Sequence, residues 1–511
     1  MQRDDTDLYK IYRDGELIGQ TRGDTYDDYD LTAGKTYTYY VEAYQNSNKI
    51  ATSVSQKAVP FTPVGKGDIY DNSNGRYITK DNNKPQGMKI NDLYFSYKIE
   101  SIDKNGIKGR AVYESYSPTG LPGSWSVPRE LGFYPNSNFE GVGFRYNKKT
   151  NKVVVSAHYE EGRGYEAAKV YLAQITPKGE LEVGYLERPL GYDSRDQSLF
   201  IDDDGTGYLL SAARMNNDIN IYKLDESWTK PVSLVNTVFI GQHRETPSII
   251  KKEGKYYFFS SKASGWYPSQ TMYASSSDLG GIWTTLREIG NNSTFGSQSN
   301  SIGRFGNERE TFRLGSYRWG AQFHHKDPDG NYPRILVVSF NSGYASMDYY
   351  RYLEFYDNHG IVPVQAGRNL TLNKPVTATA ASMEGDAKCI TDGASLNSAA
   401  YFQGGSYPYS LTIDMQSTAQ VSEINLSTRL VGGSETAYQY TIEGSLDGED
   451  YKIVYDGTNN WQVGFLILKL EDSSEYRFLR LNVIRVINVH NNNSATWAEG
   501  IYEFAAFGTQ L

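Results

Sequence analysis

The sequence predicts an all-β protein made of several modules, and its composition, turn signals and internal repeat each point to this fold class. Its 511 residues include 43 Tyr and 49 Gly, and only 39% of them are hydrophobic. Such a composition suits many short strands joined by turns better than packed helices. A chain of this length exceeds what one hydrophobic core usually serves, so we expect two to four domains.

Residues 1–62 have the pattern of a small β-sheet module. The stretch LYKIYRDGELIGQT predicts a hairpin that turns at Asp14-Gly15, and KTYTYYVEAY alternates aromatic and polar residues. The phrase YDLTAGKTYTYYVEAY resembles the late strands of a fibronectin type III domain, while the Trp-bearing early strands are absent, as if the chain began inside such a domain. We therefore expect a partial fibronectin type III-like module, followed by AVPFTPVGKG as a Pro-containing linker.

A loose repeat of about 50 residues runs through residues 70–365. Four segments share a strand, a tight turn and a second strand: GMKINDLYFSYKI, GFRYNKKTNKVVVSAHY, LFIDDDGTGYLLSAA and SIIKKEGKYYFFSSK. A fifth, less regular unit contains TFRLGSYRWG and RILVVSFNSG. Since one four-stranded blade has this length, the sequence predicts a five-bladed β-propeller. Trp125, Trp228 and Trp283 recur at one blade position, and we interpret them as packing residues.

Residues 367–511 contain short, evenly spaced strand patterns such as YSLTIDMQ, VSEINLSTR and IYEFAAFG, which predict a β-sandwich. Their order resembles the discoidin-like sandwich of carbohydrate-binding module family 32, whose members often bind galactose or N-acetylgalactosamine. The resemblance implies loops that contact sugar, with Arg429, Trp461 and His490 as candidates. It also implies a structural Ca²⁺ site at Asp392, with the GASLN loop after it, and Glu503. An ordinary turn aspartate is the alternative interpretation of Asp392.

Four polar residues recur at one place in successive units of the repeat: Glu140 in NFEGVGF, Asp196 in YDSRDQSLF, Glu245 in HRETPSI and Gln298 in FGSQSN. They are 56, 49 and 53 residues apart, close to one blade each. Because the inner strands of a propeller converge on a central channel, we expect these side chains to share one pocket. Taken singly, three of them have a simpler explanation: a strand cap at Glu245, an ion pair of Asp196 with Arg195 or Arg244, and a turn at Gln298.

The phrases YDSRDQSLFIDDDGTGYL, HRETPSIIKKEGKYYFFSS followed by SGW, and FGSQS resemble glycoside hydrolase family 43, most closely its exo-β-1,3-galactanase branch. The resemblance implies an inverting glycosidase in which Glu245 is the general acid and Asp196 orients and tunes it. A carboxyl group near other acids keeps its proton to higher pH, which suits a group that protonates a leaving oxygen. Gln298 stands in place of the usual carboxylate base, and its amide would orient the attacking water, with an imidic acid tautomer as one route.

Three residues are candidates for substrate contact. Trp266 in SGWYP and Trp319 in YRWG follow predicted inner strands, and aromatic rings stack on the apolar face of galactose. Packing between blades is the alternative role of both rings. Glu140 is the third candidate. Two phrases depart from the galactanase branch, since EGVG at Glu140 replaces ERPK and Gln86-Gly87-Met88 replaces HGG, so contacts on that side of the sugar are expected to differ.

The predicted function is that of a galactan 1,3-β-galactosidase, an exo-acting enzyme of a bacterial secreted or cell-surface protein that works as a monomer on galactose-containing glycans. Two alternatives stay open. One is another family 43 specificity, an α-L-arabinofuranosidase or β-xylosidase, which normally requires an Asp base in the first blade. The stretch KPQGMKIND offers only Asp92, after the strand. The other alternative is an inert, sugar-binding propeller.

Charge and composition argue against several other classes of protein. A formal net charge of −9 does not suit a partner of nucleic acid or of anionic membranes. No segment is long and apolar enough to span a bilayer, and MQRDDTDLYK lacks the apolar core of a signal peptide. The one cysteine, Cys389, excludes an internal disulfide, and we expect it to be buried in a strand. His243, His324 and His325 have no partner at a metal-ligand spacing, so no cofactor for catalysis is expected.

Overall fold

The computed structural model describes residues 8–21, 26–70, 85–162, 164–304, 312–319, 332–341, 343–356, 360–470 and 475–511. Strands dominate these residues, as the composition predicts, and the short 3-10 helices are Pro189–Gly191, Ala387–Thr391 and Thr496–Ala498. Within the described ranges, no helix has the length and apolar character needed to cross a membrane.

The first module is one antiparallel five-stranded sheet in the order β2-β1-β3-β4, with β5 also paired to β3. Its strands are β1 Leu8–Arg13, β2 Glu16–Thr21, β3 Tyr37–Gln45, β4 Asn48–Thr52 and β5 Gln56–Ala58. The hairpin predicted at Asp14-Gly15 is present, since Arg13 pairs with Glu16. Asp14 and Gly15 have φ values of 52° and 90°, which a two-residue turn matched to the strand twist requires.

Five four-stranded antiparallel sheets, each made of consecutive strands, form the predicted five-bladed propeller. Numbering continues after β6 (Gly65–Asp68). Blade one contains β7 Met88–Ile90, β8 Leu93–Lys104, β9 Ile107–Ser117 and β10 Arg129–Pro135; blade two contains β11 Ser137–Asn147, β12 Lys152–Glu161, β13 Lys169–Ile175 and β14 Leu181–Glu187. Blade three contains β15 Gln197–Ile201, β16 Gly207–Ala213, β17 Asp218–Leu224 and β18 Pro231–Val238. Blade four contains β19 Arg244–Lys252, β20 Lys255–Lys262, β21 Met272–Ser276 and β22 Arg287–Glu288; blade five contains β23 Gln298–Arg304, β24 Phe312–Arg318, β25 Tyr332–Asn341 and β26 Tyr344–Asp348.

The first strands of blades two to five, which are β11, β15, β19 and β23, contact one another in succession. They are therefore the inner strands of the propeller. The four segments identified by the sequence repeat are the first hairpins of blades one to four. Two of the predicted packing tryptophans lie in the apolar contacts around the blades: Trp228 is buried among Val154, Leu199 and Leu209, and Trp283 packs against the next apolar cluster.

A three-stranded sheet joins distant parts of the chain: β6 pairs with β27 (Tyr352–Tyr356), which pairs with β28 (Gly360–Val364). The stretch that contains β6 was expected to be a linker. Arg351 lies beside this sheet and is 1% exposed. Its Nη2 forms an ion pair with Asp68 Oδ2 at 2.7 Å, and its Nε lies 3.4 Å from Glu423 Oε2. Tyr349 also donates to Glu423. One buried ionic cluster thus ties the linker strand, the end of the propeller and the C-terminal sandwich together.

The C-terminal sandwich comprises β29 to β38. Its strands are β29 Arg368–Asn369, β30 Val376–Ala378, β31 Ser382–Glu384, β32 Gln403–Gly404, β33 Tyr409–Thr428, β34 Thr436–Ser445, β35 Lys452–Gly457, β36 Phe465–Lys469, β37 Glu475–Asn488 and β38 Ile501–Gln510. The long strand β33 pairs with β30 along its first half and with β36 along its second half, with an irregularity after Asp414, so it serves both layers.

Cys389 is buried, as predicted, but it lies in the 3-10 helix Ala387–Thr391 and not in a strand. The reason is local, because the side chain of Asp386 accepts the backbone N–H of Lys388 and caps a helical turn.

Candidate active site

Bulges distort the inner strands at the predicted pocket residues. The pairing register shifts between Glu140 and Gly143 in β11, and between Glu245 and Ser248 in β19. The residue after each glutamate has a positive φ, 59° at Gly141 and 53° at Thr246. That conformation is costly for a β-branched residue such as Thr246, and bulges of this kind re-aim side chains beside functional sites. The same local distortion therefore sets the direction of both glutamates.

The Glu245 carboxylate is held from two neighbouring blades. Gln298 Nε2 donates to its Oε2 at 2.9 Å, and Asn216 Nδ2 donates to its Oε1 at 2.5 Å. Burial, and next the nearby charge of Asp196, raise the pKa of Glu245 to about 8. A carboxyl group with this pKa carries its proton at neutral pH, which is the state that a general acid needs.

Asp196 is fixed beside Glu245 by the neighbouring backbone, since Thr246 N–H donates to its Oδ2 at 3.1 Å. Burial raises the pKa of Asp196. The alternative ion pair with Arg244 does not form. Arg244 is buried and donates instead to the Ser260 hydroxyl group at 3.0 Å, and burial lowers its pKa to about 9. Asp196 thus acts on Glu245 without a direct arginine partner from β19.

Gln298 opens β23 and is 6% exposed. Its amide has a defined orientation, because Trp319 Nε1 donates to Oε1 at 3.0 Å while Nε2 donates to Glu245. Trp319, a predicted stacking platform, thus uses the edge of its ring to hold this amide. In inverting glycosidases the two carboxyl groups stand about 6.5 to 9.5 Å apart to admit water. Since Gln298 contacts Glu245 directly, the water-orienting role predicted for Gln298 requires the two side chains to separate.

Glu140 lies in a polar network that the repeat pattern did not reveal. Its Oε1 accepts hydrogen bonds from Tyr165 Oη at 2.9 Å and from Asn138 Nδ2 at 2.8 Å. His158 is 1% exposed; its Nδ1 lies 3.6 Å from Glu140 Oε2, and its Nε2 lies 2.7 Å from Glu160. Burial opposes the charge on Glu140, but the hydrogen bonds from His158 and Tyr165 outweigh it and lower the Glu140 pKa.

The charge of His158 follows from the same contacts. Burial lowers its pKa, but the two glutamates outweigh burial and raise it. His158 pairs directly with Glu140 across the β11–β12 hairpin, and Glu160 follows two residues later on the same face. The pairing of Glu140 with His158 could have been found only from the register of the two strands, which the sequence repeat does not give. Asn216, a further residue that the repeat did not reveal, lies in the β16–β17 turn with a φ of 64°, outside the repeated strand pattern.

Trp266 lies in the loop after β20, has a φ of 72° and is 41% exposed. This loop begins beside Glu245, because Lys262 pairs with Arg244 at the end of the first hairpin of blade four. The structure therefore places the Trp266 loop on the side of the propeller where Glu245 lies.

The three residues predicted to contact sugar in the C-terminal sandwich lie in two different environments. Trp461 packs against a cluster that contains Tyr267 of the propeller, and the His490 ring lies 5.3 Å from the Tyr267 ring. Arg429 donates to the backbone oxygen of Trp497 at 3.2 Å, and Trp497 is 58% exposed. Two of the three predicted contacts are thus part of the surface where the sandwich meets the propeller.

Asp392 and Glu503 lie together around one backbone turn. Glu503 is 7% exposed; its Oε2 accepts Gly393 N–H at 3.0 Å, and its buried Oε1 has no hydrogen-bond partner among the residues that the structure describes. Burial raises the pKa of Glu503, and Asp392 adds to this. An unpartnered carboxylate oxygen beside a second carboxylate fits the oxygen ligands that Ca²⁺ prefers. Within the described residues, no group of three His, Cys, Asp or Glu side chains is arranged to hold a metal ion, and His324 and His325 lie outside those residues.

Family models and solved structures agree with this architecture. Residues 176–333 match the model of glycosyl hydrolases family 43, and residues 375–500 match that of the F5/8 type C domain. The exo-β-1,3-galactanase from Phanerochaete chrysosporium with galactose is 20% identical, with a TM-score of 0.52 over 87% of this chain and 100% of that chain. A variant of that enzyme with β-1,3-galactotriose is 20% identical, with a TM-score of 0.51 over 86% and 99%.

An exo-β-1,3-galactanase from Clostridium thermocellum is 21% identical, with a TM-score of 0.47 over 81% of this chain and 98% of that chain. No curated protein sequence matches the chain. The likeness to the fungal enzyme shows a common fold, and the two family models assign its parts. Residues 176–333 of the propeller therefore carry the sequence pattern of glycosyl hydrolases family 43, and residues 375–500 of the sandwich carry that of an F5/8 type C domain.

Proposed function

We propose that the protein is an inverting, exo-acting β-1,3-galactosidase of galactan or arabinogalactan-type glycans. The observation that carries this proposal is the half-buried carboxyl group of Glu245, which Gln298 and Asn216 hold by hydrogen bonds beside Asp196 and whose pKa is raised to about 8. Gln298, to which the family resemblance gives the task that a carboxylate base has in other inverting glycosidases, favours the galactanase specificity. Solved structures named as exo-β-1,3-galactanases support the same choice.

In the proposed mechanism, Glu245 gives its proton to the oxygen of the leaving sugar as the glycosidic bond breaks. Water attacks the anomeric carbon from the opposite face. When substrate separates Gln298 from Glu245, the imidic acid form of Gln298 presents its bare nitrogen to this water and orients it. The nitrogen takes the proton that the water loses, and the O–H group of the imidic acid releases its own proton to solvent, which leaves Gln298 as the ordinary amide. The Trp319 N–H holds the Gln298 amide oxygen in the structure.

The Glu140 network suits recognition of the sugar itself. Since hydrogen bonds from His158 and Tyr165 favour its charged form, Glu140 offers carboxylate oxygens to sugar hydroxyl groups. The rival specificities for arabinofuranosides or xylosides are less well supported. Asp92, the one candidate for their base, lies in the exposed β7–β8 turn, at the far end of β7 from the side where the other inner strands begin.

Replacing the general acid tests the reaction class. We expect Glu245→Gln to lower kcat on β-1,3-galactan by about 10² to 10⁴, because the leaving oxygen loses its proton donor. Glu253→Gln in the exposed turn of the same blade is the matched control and should leave kcat unchanged. Release of galactose would be measured with galactan, and arabinofuranoside and xyloside substrates would be tested in parallel. Near-normal turnover by Glu245→Gln would place the acid elsewhere.

The pH dependence of kcat/KM tests the coupling between the two carboxyl groups. Activity should fall as pH rises through about 8, because this is the pKa at which Glu245 loses the proton that it must donate. Asp196→Asn removes a charge that raises the Glu245 pKa, so the alkaline limb should move to lower pH. The exposed Asp203→Asn is the control. An alkaline limb at the same pH in Asp196→Asn would contradict this assignment.

We also propose that Asp392, Glu503 and nearby backbone oxygens bind a structural Ca²⁺. Ca²⁺ at about 100 times its dissociation constant should stabilise the folded chain by about 2.7 kcal/mol. The expected result is a higher Tm with Ca²⁺ than with a chelator, a difference that Glu503→Gln removes and that the exposed Glu475→Gln keeps. Equal Tm values of the unchanged protein under both conditions would refute the site.

A further inference from the structure

Two propeller segments lie beneath the C-terminal sandwich. The first, residues 264–271, follows β20 and contains Trp266. The second, residues 291–297, leads directly into Gln298, and all of its residues are buried. The first segment thus contains a residue of the candidate active site, and the second directly precedes one. Both are covered by the C-terminal sandwich, for which the family resemblance implies a separate sugar-binding role.

The sandwich anchors segment 264–271 at two points. Tyr267, the neighbour of Trp266, is 8% exposed and belongs to one apolar cluster with sandwich residues Ala437, Val463, Ile487 and Val489. Gln270 Oε1 accepts the backbone N–H of Asn397 from the sandwich at 2.9 Å. Because Trp266 directly precedes Tyr267, this contact holds the backbone next to Trp266.

Segment 291–297 is held by the backbone of the sandwich. Asn292 Nδ2 donates to the Thr428 carbonyl group at 2.8 Å, and Asn292 N–H donates to the Ser395 carbonyl group at 2.6 Å. The Phe295 ring meets the Phe465 ring edge to face, with centroids 5.3 Å apart. A Cβ atom on Gly464 would lie 2.9 Å from the Cβ of Ser293, so the two domains approach as closely as a glycine permits.

The same segment has a backbone that requires outside support. Thr294, Phe295 and Gly296 have consecutive φ values of 49°, 49° and 76°. The left-handed region is unfavourable for Thr and Phe, and such residues persist only where their surroundings over-determine them. The hydroxyl group of Thr294 donates to the Ser269 carbonyl group at 2.5 Å, which joins the two segments, while Phe465 holds Phe295.

We infer that the C-terminal sandwich is a fixed part of the catalytic unit, which positions the Trp266 loop and the strand start at Gln298. Tyr267 and Ile487 are positioning residues of this interface. The inference rests on the proposed function, since it gives the positions of Trp266 and Gln298 a role in hydrolysis. It also gives Trp461 and His490, which lie at the Tyr267 surface, a structural task in place of the predicted sugar contact.

Two isoleucines of the sandwich offer a matched test in the full chain. Both are completely buried, but Ile487 packs with Tyr267 while Ile413 lies in the sandwich's own core. We expect Ile487→Ala to speed amide hydrogen exchange in residues 267–271 and 292–297. It should also lower kcat/KM on β-1,3-galactan by about tenfold or more, because small displacements of positioning groups cost that much. Ile413→Ala should change neither quantity while it stays folded.

Wild-type exchange or wild-type kcat/KM in folded Ile487→Ala would overturn the inference. If that variant does not fold, hydrogen exchange and kcat/KM are measured on the smaller change Ile487→Val, where wild-type values would overturn the inference equally. Absence of hydrolysis of any galactoside by the unchanged protein would refute the proposed function alone. The exchange comparison would then decide whether the sandwich holds the two segments.

Discussion

The placement of the half-buried Glu245 and Asp196 carboxyl groups side by side, where the inner strands of blades three and four begin, is the constraint that the candidate site depends on. Burial disfavours both charges, and the charge of Asp196 further disfavours that of Glu245, so the pair retains a proton that two exposed carboxyl groups would lose. Gln298, Asn216 and the Thr246 N–H group supply the hydrogen bonds that keep this arrangement in place. The retained proton is also the one that a leaving sugar oxygen needs.

Residues progressively farther from the two carboxyl groups hold the candidate site in place. Bulges at Glu140 and Glu245 set the direction of two side chains, and the buried His158 with Glu160 fixes the charge of the first. Further out, segments 264–271 and 291–297 take unusual backbone conformations that contacts with the C-terminal sandwich support. Active sites of this kind require rigid support, since a side chain misplaced by an ångström loses much of its effect.

The repeat made much of this predictable from the sequence. Glu140, Asp196, Glu245 and Gln298 sit one blade apart, and in a propeller equal sequence spacing becomes equal position around an axis. The partners of these residues were not predictable in this way. His158 faces Glu140 through strand register, and Asn216 reaches Glu245 from a turn outside the repeat. Likewise β6 pairs with β27, far along the chain, and Trp461 meets Tyr267 through domain packing, which leaves no local sequence signal.

The most direct test of hydrolysis with inversion at this site is proton NMR of the first galactose released from β-1,3-galactan. Attack by water on the face opposite the leaving group converts a β-linkage into the α-anomer. The mechanism therefore predicts that α-galactose appears first and that the β-anomer grows only as the sugar mutarotates. Initial release of β-galactose would contradict inversion and would require a nucleophile in place of the water that Gln298 is proposed to orient.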